Sequence, residues 1–120
     1  MKRSRRDLLK RVAALMLASG IPGRAARAQQ PIRVGFSIAQ TGPISGGGRA
    51  ALVALRMWAD DVNGRGGLLG RKVELVVYDD QGSPATTPGI YAKLIDIDKV
   101  DLLIAPYGSV STAPVLPLAN

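Results

Sequence analysis

Three short apolar runs, each followed by enough chain to cross back over a sheet, constrain this sequence more than any other feature. Ile32–Ala39 alternates Ile32, Val34, Phe36 and Ile38 with smaller or polar residues, and Lys72–Tyr78 sets Val73, Leu75 and Val77 on one side. Both have the period of two of a β-strand. Val100–Ala105 is apolar almost throughout, as a strand covered on both faces should be. Between the first two runs, Arg49–Asn63 carries Leu52, Leu55, Ala59 and Val62 at helical spacing, with Arg49, Arg56, Asp60 and Asn63 opposite. Asn63-Gly64 is expected to close that helix in a left-handed cap. Ser83-Pro84 and Thr87-Pro88 compete to start a second helix presenting Ile90, Tyr91, Leu94 and Ile95 and fading near Asp98. Pro106–Val110 reads as a loop, and Ser111 as the cap of a short third helix with Pro114 in its first turn.

Strands joined by crossovers of this length pair in parallel. The expected fold is therefore α/β: a doubly wound parallel sheet, strand and helix alternating three times, in the order 2-1-3. Ligands of such sheets sit beyond the carboxyl ends of the strands, where the strand order reverses. That places a crevice between the loops Thr41–Gly48 and Pro106–Thr112, with Asp79 and Asp80 to one side. Three strands are laid down by Asn120, against about 5–6 in a mean sheet, so residues 29–120 are expected to be the opening part of a longer domain.

The formal charge of +7 is confined to the first 28 residues. Lys2, Arg3, Arg5, Arg6, Lys10, Arg11, Arg24 and Arg27 stand there against Asp7 alone, whereas residues 29–120 balance eight basic with eight acidic side chains. A surface for phosphates needs its basic residues in the folded part, so no nucleic-acid partner is expected. The first segment has a basic region ending at Arg11, an apolar stretch Val12–Ile21, and Ala26-Arg27-Ala28 before Gln29. This is the pattern of a secretory signal peptide cleaved after Ala28. The apolar stretch is too short for the ~20 residues of a membrane span. Ser4-Arg5-Arg6-Asp7-Leu8-Leu9-Lys10 matches the twin-arginine export pattern, with Arg5, Arg6, Leu8 and Leu9 as its core. The expected product is soluble and periplasmic. Without cysteine, this part of the chain offers no lipid-anchored residue after the signal, disulfide or thiol chemistry, and without histidine it lacks the usual zinc ligand and general base. No metal or cofactor is expected.

Three landmarks carry a resemblance. They are Ile32-Arg33-Val34-Gly35-Phe36 leading to Thr41-Gly42-Pro43, the stretch Asp61-Val62-Asn63-Gly64-Arg65-Gly66-Gly67-Leu68-Leu69-Gly70-Arg71-Lys72-Val73-Glu74-Leu75, and Tyr78-Asp79-Asp80. Together they resemble the leucine/isoleucine/valine-binding family of periplasmic substrate-binding proteins of ABC transporters, of the type I binding-protein fold. The resemblance implies that residues 29–120 begin the first of two lobes, and that the protein delivers a small solute, an amino acid or related carboxylate or amide, to permease subunits. The twin-arginine translocase would be a partner during export. It also implies that Ser109, in the loop after the third strand, hydrogen-bonds the ligand carboxylate. Independently, a hydroxyl beside free backbone N–H groups at Ser111 and Thr112 would make an anion site, though Ser109 and Ser111 equally suit helix capping. In the first loop the family carries an aromatic residue near Gly47, where Ser45-Gly46-Gly47-Gly48 offers nothing larger than serine. Tyr107 is the candidate to supply that apolar surface, or to pack on its own scaffold.

Two other readings remain open from the residues alone. Gly46, Gly48 and Ala51 fit G-x-G-x-x-A, and Asp79 or Asp80 could take a ribose, as in an exported NAD(P)-dependent oxidoreductase. Against it, Gln40–Ser45 separate the strand from the glycines, and Asp79 lies 28 residues past Ala51 where about 20 is usual. A ligand-sensing receptor ectodomain of the same fold is the other. Asp79-Asp80 as a metal pair is weaker, because strand neighbours point to opposite sides.

Overall fold

Strand β1, Ile32–Ile38, occupies the centre of a three-stranded parallel sheet ordered β2-β1-β3, with six of its seven residues buried. The computed structural model describes residues 30–119; Arg5, Arg6, Leu8, Leu9, Ala26 and Ala28 lie outside the described residues. Strand β2, Val73–Asp79, pairs with β1 along its whole length, from Ile32 opposite Val73 to Ile38 opposite Asp79. Strand β3 is Leu102–Leu103, paired only through Val34–Leu102 and Gly35–Leu103. It is thus much shorter than the expected Val100–Ala105.

The helices lie on the two faces of the sheet. Helix α1, Ser45–Gly64, covers the side onto which β1 turns Ile32, Val34, Phe36 and Ile38, and packs there through Leu52, Ala59 and Val62. Helix α2, Thr87–Asp96, covers the other side with Tyr91 and Leu94, against Val76, Tyr78, Val100, Leu103 and Val115. Of the two competing starts the structure takes Thr87-Pro88, with proline in the first turn, where its missing N–H costs nothing. Gly35 lets α2 come this near. A Cβ there would meet Leu94 and Val100 at 2.9 Å, a distance that real contacts do not reach.

Three local expectations are corrected. Helix α1 begins four residues before Arg49, so the three glycines form its first turn rather than a loop. Its end is not capped at Gly64. Gly66 adopts the left-handed conformation, φ 101°, its N–H bonds Asn63 O at 3.2 Å, and Gly67 N–H bonds Val62 O at 2.9 Å. This is the paired geometry of a Schellman ending. Finally, the short helix α3 spans Ser109–Thr112 and runs into a 3₁₀ turn, Ala113–Ala119. Gly108, at φ 98°, is its N-cap, so Ser111 is inside the helix and caps nothing.

The glycine-rich stretch that carries the resemblance is a scaffold element. The Asn63 amide donates to Val73 O at 2.9 Å and accepts from Val73 N at 2.7 Å, pinning the start of β2 to the end of α1. Leu68 and Arg71 close a tight reversal between them.

Candidate functional site

The sites expected from the sequence lie beyond the C-terminal ends of β1 and β3. Four of them need little side chain or none: Gly48, Gly47, Gly46 and Ser45 open α1. A Cβ on Gly48 would stand 2.0 Å from Ala39 O, so only glycine lets the helix start against the outgoing strand. A Cβ on Gly47 would stand 2.3 Å from the Tyr107 hydroxyl, so the loop after β3 reaches across to the first turn of α1. Gly46 has nothing within 4 Å of its missing Cβ. Ser45 Oγ accepts from Arg49 Nη1 at 3.2 Å, and the same nitrogen bonds Gln40 O at 3.1 Å, which ties the helix start to its loop.

A cavity of about 420 Å³ opens beside that loop, lined by Gly108, Ser109, Thr112, Ala113 and Leu116. Ser109 and Thr112 supply hydroxyls, Ala113 and Leu116 an apolar wall. Of the expected ligand residues, the structure brings Ser109 and Thr112 together here. Ser45, Gly46, Gly47 and Tyr107 do not line this cavity, and Tyr107 is 42% exposed over Gly47. Ser111 is 2% exposed, and its carbonyl accepts from Thr87 Oγ1 at 3.3 Å. It belongs to the packing between α2 and α3. The Thr112 N–H, expected to be free, donates to Gly108 O at 3.2 Å, and its hydroxyl bonds Gly108 O at 3.0 Å and Pro106 O at 3.3 Å. That hydroxyl is held in place with lone pairs to spare. Leu116 and Ala113 were missed in the sequence, although 109, 112, 113 and 116 share one face at helical spacing.

The two aspartates after β2 serve the scaffold. Asp79 Oδ1 accepts from Gln40 N at 2.9 Å, Thr41 N at 3.3 Å and Gln81 N at 2.9 Å, while Oδ2 takes the Thr41 hydroxyl at 2.7 Å. The Thr41 bond does most to lower its pKa to about 2; desolvation opposes this, and the three amides add to the lowering. Asp80 is buried and accepts from Ser37 Oγ at 2.6 Å and Gly82 N at 2.8 Å. Neither carboxylate is turned to a ribose, and the glycines meant to cradle a pyrophosphate are a helical turn closed by Ala39 and Tyr107. The geometry the dinucleotide reading needs is therefore missing. Among the described residues no cluster of three or more His, Cys, Asp or Glu could hold a metal ion, and no helix is long and apolar enough to cross a membrane.

A parallel sheet ordered 2-1-3, helices on both faces, and hydroxyls gathered past the strand ends define the class. This is part of an open α/β fold of the kind whose ligands sit where strand order reverses. The chain belongs to the periplasmic binding protein family, whose model matches residues 31–120. An amino acid binding protein of Pseudomonas aeruginosa is 28% identical over 109 residues, 91% of this chain and 29% of that protein. A branched-chain amino acid transporter substrate-binding protein from Streptococcus pneumoniae, solved with isoleucine, matches 74% of this chain at 26% identity and a TM-score of 0.71. A solute-binding protein of an ABC transporter from R. palustris, solved with benzoate, matches 74% at 28% identity and a TM-score of 0.65. The chain spans 29% of the Pseudomonas relative and 26% and 24% of the two solved chains. The solved relatives have the type I periplasmic binding protein fold, and the order β2-β1-β3 is that expected from the sequence.

Proposed function

We propose that this chain forms the opening part of the first lobe of an extracytoplasmic solute-binding component of an ABC importer, with no catalytic step of its own. Its ligand is a small carboxylate with an apolar body, an amino acid or a related acid or amide. The observation that carries this reading is the pairing of the Ser109 and Thr112 hydroxyls with Ala113 and Leu116 around one cavity. The Ser109 hydroxyl can donate to a carboxylate, the Thr112 oxygen, its hydrogen given to Gly108 O and Pro106 O, can accept from a ligand N–H, and the apolar wall receives the remainder of the molecule. Isoleucine and benzoate, named with the two solved relatives, share that division. Tyr107, Ser45, Gly46 and Gly47 do not line this cavity and enter the reading only as contacts for a ligand that extends beyond it.

In this reading, the lobe closes with a second one over the solute, and the closed form is presented to membrane permease subunits. Residues 1–28 act as a twin-arginine signal peptide read through Arg5, Arg6, Leu8 and Leu9 and cleaved after Ala28, which leaves a soluble periplasmic protein without a lipid anchor. The test is calorimetric titration of the full-length mature protein with isoleucine, benzoate and their amides. Saturable one-to-one binding is expected, with a rise in melting temperature that grows with ligand concentration. No heat and no thermal shift with any of these would overturn the proposal.

A further inference from the structure

The sheet loses a rung where the crevice begins. Ile104 N donates to Gly35 O at 3.0 Å, and in a parallel ladder the next bond runs from Ser37 N to Ile104 O. That bond is absent. The hydroxyl of Tyr91 stands in its place, accepting from Ser37 N at 3.4 Å and donating to Ile104 O at 2.5 Å. One bond of about 2.9 Å is thus replaced by two in series, with the phenolic oxygen between the strands. Tyr91 is 1% exposed and belongs to α2, one turn before Leu94. The missing side chain of Gly35 leaves room for Leu94 of the same helix. Both groups left over by the broken rung are satisfied, so the interruption leaves no orphan.

We propose that Tyr91 is a positioning residue: its hydroxyl holds the outgoing ends of β1 and β3 apart and so sets the width of the ligand crevice. The chain beyond Ile104 is the loop carrying Tyr107 and Ser109, and the chain beyond Ile38 is the loop leading to Gly47. The spacer therefore decides where the two walls stand. Its part in ligand binding rests on the function proposed above. The spacing itself does not.

The experiment is Tyr91→Phe in the full-length mature protein, which keeps the ring in its packing and removes only the wedge. Ser37 N–H should then bond Ile104 O directly, slowing exchange of that amide at least tenfold, and a crystal structure should show the extra rung. Affinity for isoleucine or benzoate should fall at least tenfold while the unliganded melting temperature does not drop. A merely structural tyrosine would do the reverse, with faster exchange at Ser37, a lower melting temperature and unchanged affinity. That result overturns the proposal, as does an unmoved Ile104, or a closed rung with unchanged affinity. If neither compound binds the parent protein, the functional reading fails alone, and the Ser37–Ile104 spacing still decides the wedge. Should the variant not fold, the parent suffices: a slowly exchanging Tyr91 hydroxyl proton in contact with the Ser37 amide is required, and its absence defeats the idea.

Discussion

The phenolic oxygen of Tyr107 lies over Gly47, where an added Cβ would stand 2.3 Å from it and 2.8 Å from Cζ. The contact joins the first turn of α1 to the loop after β3 without a hydrogen bond, by shape alone. Its partner is a residue chosen for having no side chain.

This contact should be readable by comparing neighbours. Gly46→Ala meets nothing and should gain up to ~1 kcal/mol from helix propensity. Gly47→Ala must push the ring aside, and because Tyr107 is half exposed the cost is the low end of the ~1–3 kcal/mol typical of overpacking. Denaturant unfolding should therefore rank Gly46→Ala above Gly47→Ala by about 1 kcal/mol, and the gap should vanish in a Tyr107→Ala background. Equal stabilities in the parent background would show that Tyr107 does not rest there.

Ser109→Ala should weaken binding of a carboxylate ligand by about 1–3 kcal/mol, the usual cost of removing one donor from a charged acceptor. That corresponds to roughly ten- to a hundredfold in Kd. Gly108, not Ser109, is the helix N-cap, and no side chain caps it, so the unliganded melting temperature should stay put. Titration paired with a thermal melt separates the outcomes. Unchanged affinity with a lower melting temperature would make Ser109 structural.

The pH dependence comes from Asp79. Its folded pKa, about 2, lies below the ordinary 3.8, so the folded state favours the carboxylate and the unfolded state binds the proton more readily. The stability it contributes is complete above about pH 4 and is lost as pH falls toward 2. Melting temperatures of the parent should slope downward through that window. Asp79→Asn, which does not titrate, should show a shallower slope. Parallel slopes would mean that the Thr41 bond does not hold the charge.

Export should fail when Arg5 and Arg6 are both replaced by lysine, because a guanidinium fork read by a receptor is not matched by a point charge. Fractionation of cells producing the precursor measures it. Undiminished mature protein in the periplasm of the double variant would remove the twin-arginine reading.

Much of this was legible in the chain because burial leaves a period. Ile32, Val34, Phe36 and Ile38 alternate, and β1 is found there; Leu52, Ala59 and Val62 repeat helically, and α1 packs through them. The order β2-β1-β3 agrees with the crossover lengths. What escaped were features decided by atoms distant in sequence. The start of α1 was missed because glycine reads as loop, whereas Ala39 O and the Tyr107 ring require glycine within a helix. The truncation of β3 was missed because Ile104 and Ala105 look like strand, and nothing in them announces a tyrosine hydroxyl arriving from α2. Ser109 was singled out as a candidate through family resemblance, while Ala113 and Leu116, which share its cavity, lie in a proline-rich stretch that hid their common face.

The two-rung attachment of β3 has a consequence for descent. The exit of β1 is bound to the exit of β2 by both carboxylate oxygens of Asp79, so changes there would be felt in folding. The segment after Leu103 is tied to the ladder by a single amide bond. Outside buried Pro106 and left-handed Gly108, residues 105–110 can change while the sheet that presents them is inherited intact.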